Sequence, residues 1–118
     1  MLESRIQKDI INYLKSKRAY YFRFQAQSNL NGIPDILCLY KGLFLGLELK
    51  TDKGTPTDLQ LRKLKAINDN NGIGLIIRSV DELDGLITLI DKYEKDLYGN
   101  ILSSDIQNQN GRCGQAKT

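Results

Sequence analysis

The chain has 118 residues, of which 41% are hydrophobic and 26% are charged, with a formal net charge of +3. This length suits one compact domain with its own core, and no apolar run reaches the ~18 residues that a membrane-spanning helix needs. Because the chain has no histidine and only two, widely separated cysteines, a zinc framework of the usual kind is excluded. Any general base must then be Lys, Asp, Glu, Tyr, Cys or a metal-bound water.

The first predicted element is a helix over residues 2–17. Its apolar residues recur at helical spacing and form one stripe: Leu2, Ile6, Ile10, Tyr13 and Leu14. Glu3 falls on this stripe, roughly 30° from its centre at ~100° per residue. A carboxylate that faces inward must be paired, protonated or bound to a cation. Alternatively, Glu3 only favours the helix dipole from the first turn, and the pattern leaves both interpretations open.

Three strands are predicted next, over residues 19–24, 33–40 and 43–50. Between the second and third, Lys41 and Gly42 suit a two-residue hairpin turn. With that turn, Asp35 lies directly opposite Glu48, and Lys50 shares their face of the sheet. Opposed carboxylates are unfavourable unless one is protonated, a cation such as Lys50 neutralises them, or a hard divalent metal binds between them.

The second predicted helix begins after an N-cap at Thr55, with Pro56 at its first position and Asp58 three residues beyond the cap, and runs to about residue 70. Gln60 lies on its apolar face, one turn before Leu64. The same face holds two further apolar residues, Leu59 and Ile67.

Residues 73–78 are continuously apolar up to a final arginine and predict a strand that is buried on both faces, as in parallel sheets. Ser79 and Glu82 form a capping box that opens a third helix, to about residue 97. Residues 98–118 are polar, and we expect them to form a flexible tail. The order α-β-β-β-α-β-α predicts an α/β fold with a mixed four-stranded sheet flanked by helices.

The sequence "GIPD", followed by 12 residues and then "ELK", resembles the motif of the PD-(D/E)xK nuclease superfamily. Within that superfamily the chain is most similar to the VRR-NUC (virus-type replication-repair nuclease) branch, over about residues 1–80. Glu3 and the glutamine that ends "GTPTDLQ", Gln60, support the resemblance. It implies a restriction-endonuclease-like αβββαβ core with an added C-terminal helix, so that residues 1–97 form a single nuclease domain.

The resemblance also implies an activity, metal-dependent hydrolysis of phosphodiester bonds in DNA by an endonuclease. The cofactor would be Mg²⁺, with Mn²⁺ an acceptable substitute. Asp35, Glu48 and the backbone carbonyl of Leu49 would be the metal ligands. Lys50 would act on the attacking water, and Glu3 and Gln60 would complete the catalytic set. Gly32 and Pro34 would fix the path of the chain into the site.

Relatives of this size look like homodimers that cut branched or junction DNA in replication, repair or recombination. The first 25 residues carry six basic and two acidic side chains, a net charge of +4, which fits either a DNA contact or a solvated helix face. The candidate phosphate contacts are Arg5, Lys15, Lys17, Arg18, Lys53 and Arg62. A catalytically inactive DNA-binding or oligomerisation module of the same fold is the alternative. With no secretion leader pattern, we expect no membrane association and a cytoplasmic location, in a bacterium or a phage-infected host cell.

Overall fold

Seven helices and strands follow one another in the predicted order within the structure, a computed structural model that describes residues 3–24 and 32–99. Their bounds are α1 Glu3–Ser16, β1 Tyr20–Arg23, β2 Ile36–Tyr40, β3 Leu43–Leu49, α2 Asp58–Asp69, β4 Ile73–Ile77 and α3 Val80–Gly99. The strands lie in the order β1-β2-β3-β4. The first three are antiparallel, and β4 runs parallel to β3. The predicted α/β class and the mixed four-stranded sheet are confirmed.

The hairpin between β2 and β3 has the predicted two-residue turn. Lys41 and Gly42 both adopt positive φ angles, 48° and 86°, as a turn that follows the right-handed twist of the strands requires. The pairs run from Tyr40 with Leu43 to Ile36 with Leu47. The next pair outward along the same register is Asp35 with Glu48, so the predicted register is confirmed.

One face of the sheet is adapted to receive α2, which contacts β3 and β4. Gly46 and Gly74 pair across these strands, and a side-chain Cβ at Gly74 would lie 2.7 Å from the Leu64 carbonyl oxygen of α2. The two glycines therefore let the helix backbone approach the strands closely. Side chains alternate along β3, so Glu48 lies on this α2 face as well.

The opposite face of β3 carries only leucines: Leu43 is half-buried, and Leu45, Leu47 and Leu49 are buried. Helix α1 contacts β3 and buries Ile6, Ile10 and Leu14. The predicted apolar stripe of α1 is thus confirmed at these three positions. Cys38, which alternation places on the leucine face, is 2% exposed and acts as a small core residue.

The N-terminus of α2 differs from the prediction. The N-cap is Thr57, not Thr55, because the Thr57 side chain accepts a hydrogen bond from the Gln60 N–H and the Gln60 side chain accepts one from the Thr57 N–H. Pro56 therefore precedes the cap instead of opening the helix. The predicted strand starting at residue 33 is also too long, since β2 begins at Ile36, and Pro34 lies just outside it.

The chain forms two compact units, Met1–Asp84 and Gly85–Thr118. The first contains the sheet, α1, α2 and the start of α3, where the Tyr13 hydroxyl donates a hydrogen bond of 2.7 Å to Asp84. The described part of the second consists of the rest of α3, which ends at Gly99. The expected tail lies outside the described residues except for its first two positions. None of the helices in the described ranges is long and apolar enough to cross a membrane.

Candidate active site

Asp35 is held where β2 begins, at the open end of the hairpin. Its backbone carbonyl accepts a hydrogen bond of 2.9 Å from the Phe24 N–H. Its side-chain Oδ2 accepts one of 2.8 Å from the Leu49 N–H. Both the main chain and the carboxylate of this half-buried residue are therefore fixed by neighbouring strands, and the carboxylate points across to the end of β3.

Among the described residues, Glu48 is a charged residue that is almost completely buried, with 1% of its surface exposed. Its Oε2 accepts a hydrogen bond of 3.0 Å from Gln60 Nε2 and lies 3.7 Å from Lys50 Nζ. Its Oε1 is also buried but has no hydrogen-bond partner among the residues that the structure describes. A buried carboxylate oxygen without a partner is costly, and such a group in a folded protein calls for a ligand or a proton.

The ionisation of Glu48 reflects this environment. Burial, followed by the negative charge of Asp35, raises the pKa of Glu48 to about 8. The Lys50 ammonium acts in the opposite direction but does not cancel the two larger effects. Metal-free protein at neutral pH therefore holds a proton on this carboxyl group, and a cation placed between Glu48 and Asp35 would displace it.

Gln60 connects the site to the start of α2. Its Oε1 accepts a hydrogen bond of 2.9 Å from the Thr57 N–H, and its Nε2 donates to Glu48. Because one end of the amide is engaged in the cap, the other end is oriented with its donor towards Glu48. The sequence prediction placed Gln60 at the site but missed its capping role, although the T-x-x-Q spacing from Thr57 carries that signal.

Lys50 directly follows β3, and its side chain is 14% exposed. Its backbone N–H donates a hydrogen bond of 3.1 Å to the Ile77 carbonyl at the end of β4. The side chain approaches Glu48, so the three residues Asp35, Glu48 and Lys50 come together as the hairpin register predicts.

A cavity of about 370 Å³ opens beside Asp35. Its lining residues are Glu3, Ser4, Gln7, Arg23, Phe24, Asp35 and Leu49. Glu3 is exposed to solvent, so of the two interpretations that the sequence left open, the inward-facing carboxylate is not the one adopted. The first turn of α1 nevertheless places Glu3 at the same cavity as Asp35.

Arg23 is a cavity residue that the sequence prediction did not assign. It ends β1 and pairs with Ile36, next to Asp35. Its place depends on the pairing of β1 with β2, which no short turn in the sequence fixes, so the sequence carried no signal for it. Its positive charge at the cavity is suited to a phosphate group.

The oxygen donors of the site fit a hard divalent cation. Within residues 3–24 and 32–99, no three His, Cys, Asp or Glu side chains form a metal-binding group. Asp35 and Glu48 supply two neighbouring carboxylates, and Mg²⁺ is commonly bound by one or two carboxylates together with water and substrate phosphate oxygens. Among the described residues no group donates a hydrogen bond to Oε1 of Glu48, so this oxygen could serve as a ligand to such a cation.

The two residues predicted to shape the site have clear packing roles. Gly32 adopts a φ of 79°, and any Cβ there would collide with the side chain of Leu59 in α2. Pro34 is buried, and its Cγ would lie 3.2 Å from a Cβ at Gly46. Both therefore bring the chain closely past α2 and β3 just before Asp35.

The six candidate phosphate contacts are spread over the surface. Lys53 is exposed in the turn after Lys50, and Arg62 is exposed on α2. Arg5 is exposed near the cavity end of α1, where its Nε lies 3.7 Å from Asp9. Lys15, Lys17 and Arg18 lie at the other end of α1. Lys15 is twelve residues from Glu3, about 18 Å along the helix axis at 1.5 Å per residue, so these three do not converge on the cavity.

Neither a protein-family model nor a curated protein matches the sequence. Two solved structures are similar in fold. One, described as "VRR_NUC domain", has a TM-score of 0.59 and 22% sequence identity over 73% of this chain and 94% of its own. The other, "VRR_NUC domain protein", has a TM-score of 0.59 and 17% identity over 75% of this chain and 86% of its own.

Proposed function

We propose that this chain, which has the fold of VRR_NUC domains, is a metal-dependent DNA endonuclease. The observation that carries the proposal is the buried, unpartnered Oε1 of Glu48 in a carboxyl group whose other oxygen is held by Gln60 and lies near Lys50. A purely structural carboxylate would have both oxygens hydrogen-bonded. This one has an oxygen left for a ligand, and Asp35 next to it makes a positively charged ligand favourable.

Mg²⁺ is the proposed cofactor, with Mn²⁺ accepted because both take oxygen ligands. Asp35 and Glu48 would hold it, with the Leu49 carbonyl as a further ligand. When bound, the cation neutralises negative charge on the scissile phosphate and increases the acidity of bound water. The buried position of Glu48 excludes bulk water from that side of the site.

The remaining site residues orient the reacting groups. Lys50 Nζ lies 3.7 Å from Glu48 Oε2 and would orient and polarise the attacking water. Gln60 fixes the Glu48 carboxyl group. Glu3, which opens onto the cavity, would hold a water or a hydrated cation at its outer edge.

DNA is the proposed substrate, and a branched or junction structure is the proposed preference. The net charge of +3 and the exposed Lys53 next to Lys50 favour a polyanion. We place the strand to be cut across the cavity that Arg23 and Asp35 line. The basic end of α1, about 18 Å along the helix from the cavity, would then contact a second DNA segment.

A homodimer is the proposed assembly, and one open sheet face supports it. The part of the α2 face that α2 leaves uncovered carries apolar side chains, here called the open apolar face: the exposed Tyr20, Phe22, Leu39 and Phe44 and the half-buried Leu37. Contiguous exposed apolar patches mark interaction sites, and homodimer interfaces are rich in apolar area. Light scattering on wild-type protein and on Phe22→Ser checks this assignment. A wild-type monomer at micromolar concentration would exclude it.

The activity is tested with labelled duplex, flap and four-way-junction DNA, each with Mg²⁺, Mn²⁺ or chelator. Wild-type protein is compared with Glu48→Gln and Lys50→Met. Asp69→Asn and Lys65→Ala are matched controls, because these two residues form an exposed ion pair of 2.7 Å elsewhere on α2. Cation-dependent cleavage that both site variants lose and both controls keep supports the proposal. Equal cleavage by the site variants would indicate a contaminant, and metal-independent DNA binding without cleavage would indicate an inactive module.

A further inference from the structure

The turn that follows Lys50 is held by Arg78, the residue that follows β4. The chain reverses between Thr51 and Gly54, where the Gly54 N–H donates a hydrogen bond of 3.1 Å to the Thr51 carbonyl. Arg78, the residue after β4, donates from Nη1 to the carbonyl oxygens of both Thr51 and Gly54, the latter at 2.9 Å. One guanidinium nitrogen thus clamps both ends of the turn.

The same end of β4 also holds Lys50 itself. The carbonyl of Ile77, the neighbour of Arg78, accepts the Lys50 N–H at 3.1 Å. Two consecutive residues of one strand end therefore fix the backbone of Lys50 and the turn after it. Hydrogen bonds from a charged donor are stronger than neutral ones, so this clamp is well suited to restrain a short exposed turn.

The clamped turn also packs against the side chain of Lys50. A Cβ at Gly54 would lie 3.3 Å from Lys50 Cδ and 3.4 Å from Lys50 Cβ. The turn therefore forms one wall along the aliphatic stem of Lys50. At the far end of the stem, Nζ lies 3.7 Å from Glu48 Oε2.

We infer that Arg78 is a positioning residue for Lys50: by clamping the Thr51–Gly54 turn, it keeps the lysine stem in place and its ammonium group at the site. Its importance for catalysis rests on the proposed nuclease function. Both hydrogen bonds that its Nη1 donates go to backbone carbonyls of the turn. It therefore acts through Lys50, and a phosphate contact is the competing role.

The first test needs no activity. The rate at which an amine-acetylating reagent labels Lys50 is measured by mass spectrometry on the full chain, with Lys65 as the internal exposed reference. In Arg78→Ala we expect several-fold faster labelling of Lys50 with that of Lys65 unchanged, and a smaller increase in Arg78→Lys, which keeps a charged donor. Gly54→Ala, which crowds the stem by a few tenths of an ångström, should also change the Lys50 rate.

The second test uses cleavage kinetics at saturating Mg²⁺. Arg78→Ala should lower kcat about 10- to 100-fold, the usual range for residues that orient a metal-site group, with KM for DNA within about twofold. In a Lys50→Met background, Arg78→Ala should cause no further loss, because the two changes act on one group. Leu14→Ala, buried in α1 far from the site, controls for loss of stability and should keep kcat at temperatures where it is folded.

Each alternative result has a distinct meaning. A raised KM with a reduced salt dependence would identify Arg78 as a phosphate contact and overturn the inference, as would unchanged labelling of Lys50 in both Arg78 variants. If Arg78→Ala does not fold, Arg78→Lys and Gly54→Ala decide the question by the same labelling rate. If wild-type protein cuts no DNA, the nuclease proposal fails, while the labelling result still decides whether Arg78 positions Lys50.

Discussion

Replacing Glu48 by glutamine should remove a specific pH dependence of stability from the metal-free protein. The folded state raises the pKa of Glu48 from 4.5 to about 8. Between these values the folded state holds a proton that the unfolded state has released. The free energy of unfolding should therefore fall as pH rises, by about 1.4 kcal/mol per pH unit for one proton. The contribution of Glu48 to the free energy of unfolding is greatest below pH 4.5 and is lost as the pH rises through 8.

The size of the effect follows from this slope. From pH 5.5 to 7.5 the Glu48 contribution should decline by about 2 to 3 kcal/mol. The chain has no histidine, so few other side chains change charge in this window. The neutral amide that replaces the carboxyl group in Glu48→Gln cannot ionise, and the difference between wild type and this variant isolates the contribution of Glu48.

Urea denaturation with chelator at pH 5.5, 6.5 and 7.5 measures the difference. We expect wild type to lose stability relative to Glu48→Gln across this series, and Mg²⁺ to restore wild type at pH 7.5 but to have little effect on the variant. Parallel pH profiles for the two proteins would refute the reasoning, because they would mean that Glu48 is ionised in the metal-free fold.

Three further predictions concern individual contacts. Thr57→Ala should lower the free energy of unfolding by about 1 kcal/mol because the helix cap is lost. Gln60→Leu should cause a similar loss and should also slow cleavage about 10- to 100-fold, because Glu48 is no longer held. Thermal unfolding and cleavage rates measured on both variants separate the two effects. Gly42→Ala should cost about 1 kcal/mol in urea denaturation, because its φ of 86° is unfavourable with a Cβ. In a Cys113→Ser background, Cys38 should resist thiol reagents at pH 8 until the protein unfolds, because burial raises its pKa to about 11.

The central geometry of the site could be predicted from local signals. A two-residue turn at Lys41-Gly42 fixes which residues of β2 and β3 face each other, and the register follows by counting. This is why Asp35 and Glu48 could be placed together from the sequence. The position of Lys50 on the same face as Glu48 followed from the alternation of side chains along a strand.

The misplaced elements have a different physical origin. Two threonines, Thr55 and Thr57, both suit an N-cap, and the choice depends on which capping box forms. The Gln60 side chain decides it, since it bonds both to Thr57 and to Glu48 on another element. Glu3 lies one turn before Ile6, which is the first buried residue of α1. Because the core ends at Ile6, helical periodicity alone overstates the burial of Glu3.

Long-range contacts could not be read from any local pattern. The clamp from Arg78 to the Thr51–Gly54 turn joins residues 24 and 27 positions apart. It depends on the parallel pairing of β3 with β4, which brings the two strand ends together. Arg23 reaches the cavity only because β1 pairs with β2, so its place also depends on the assembled sheet.

The central claim is that Glu48 holds a catalytic divalent cation, and one measurement addresses it most directly. The rate of cleavage of a labelled four-way junction is followed across a Mg²⁺ titration for wild type and for Glu48→Gln. We predict saturable, cation-dependent cleavage by wild type and a rate at least about 100-fold lower for the variant at every Mg²⁺ concentration. Cleavage by Glu48→Gln at the wild-type rate and with the wild-type Mg²⁺ dependence would contradict the claim.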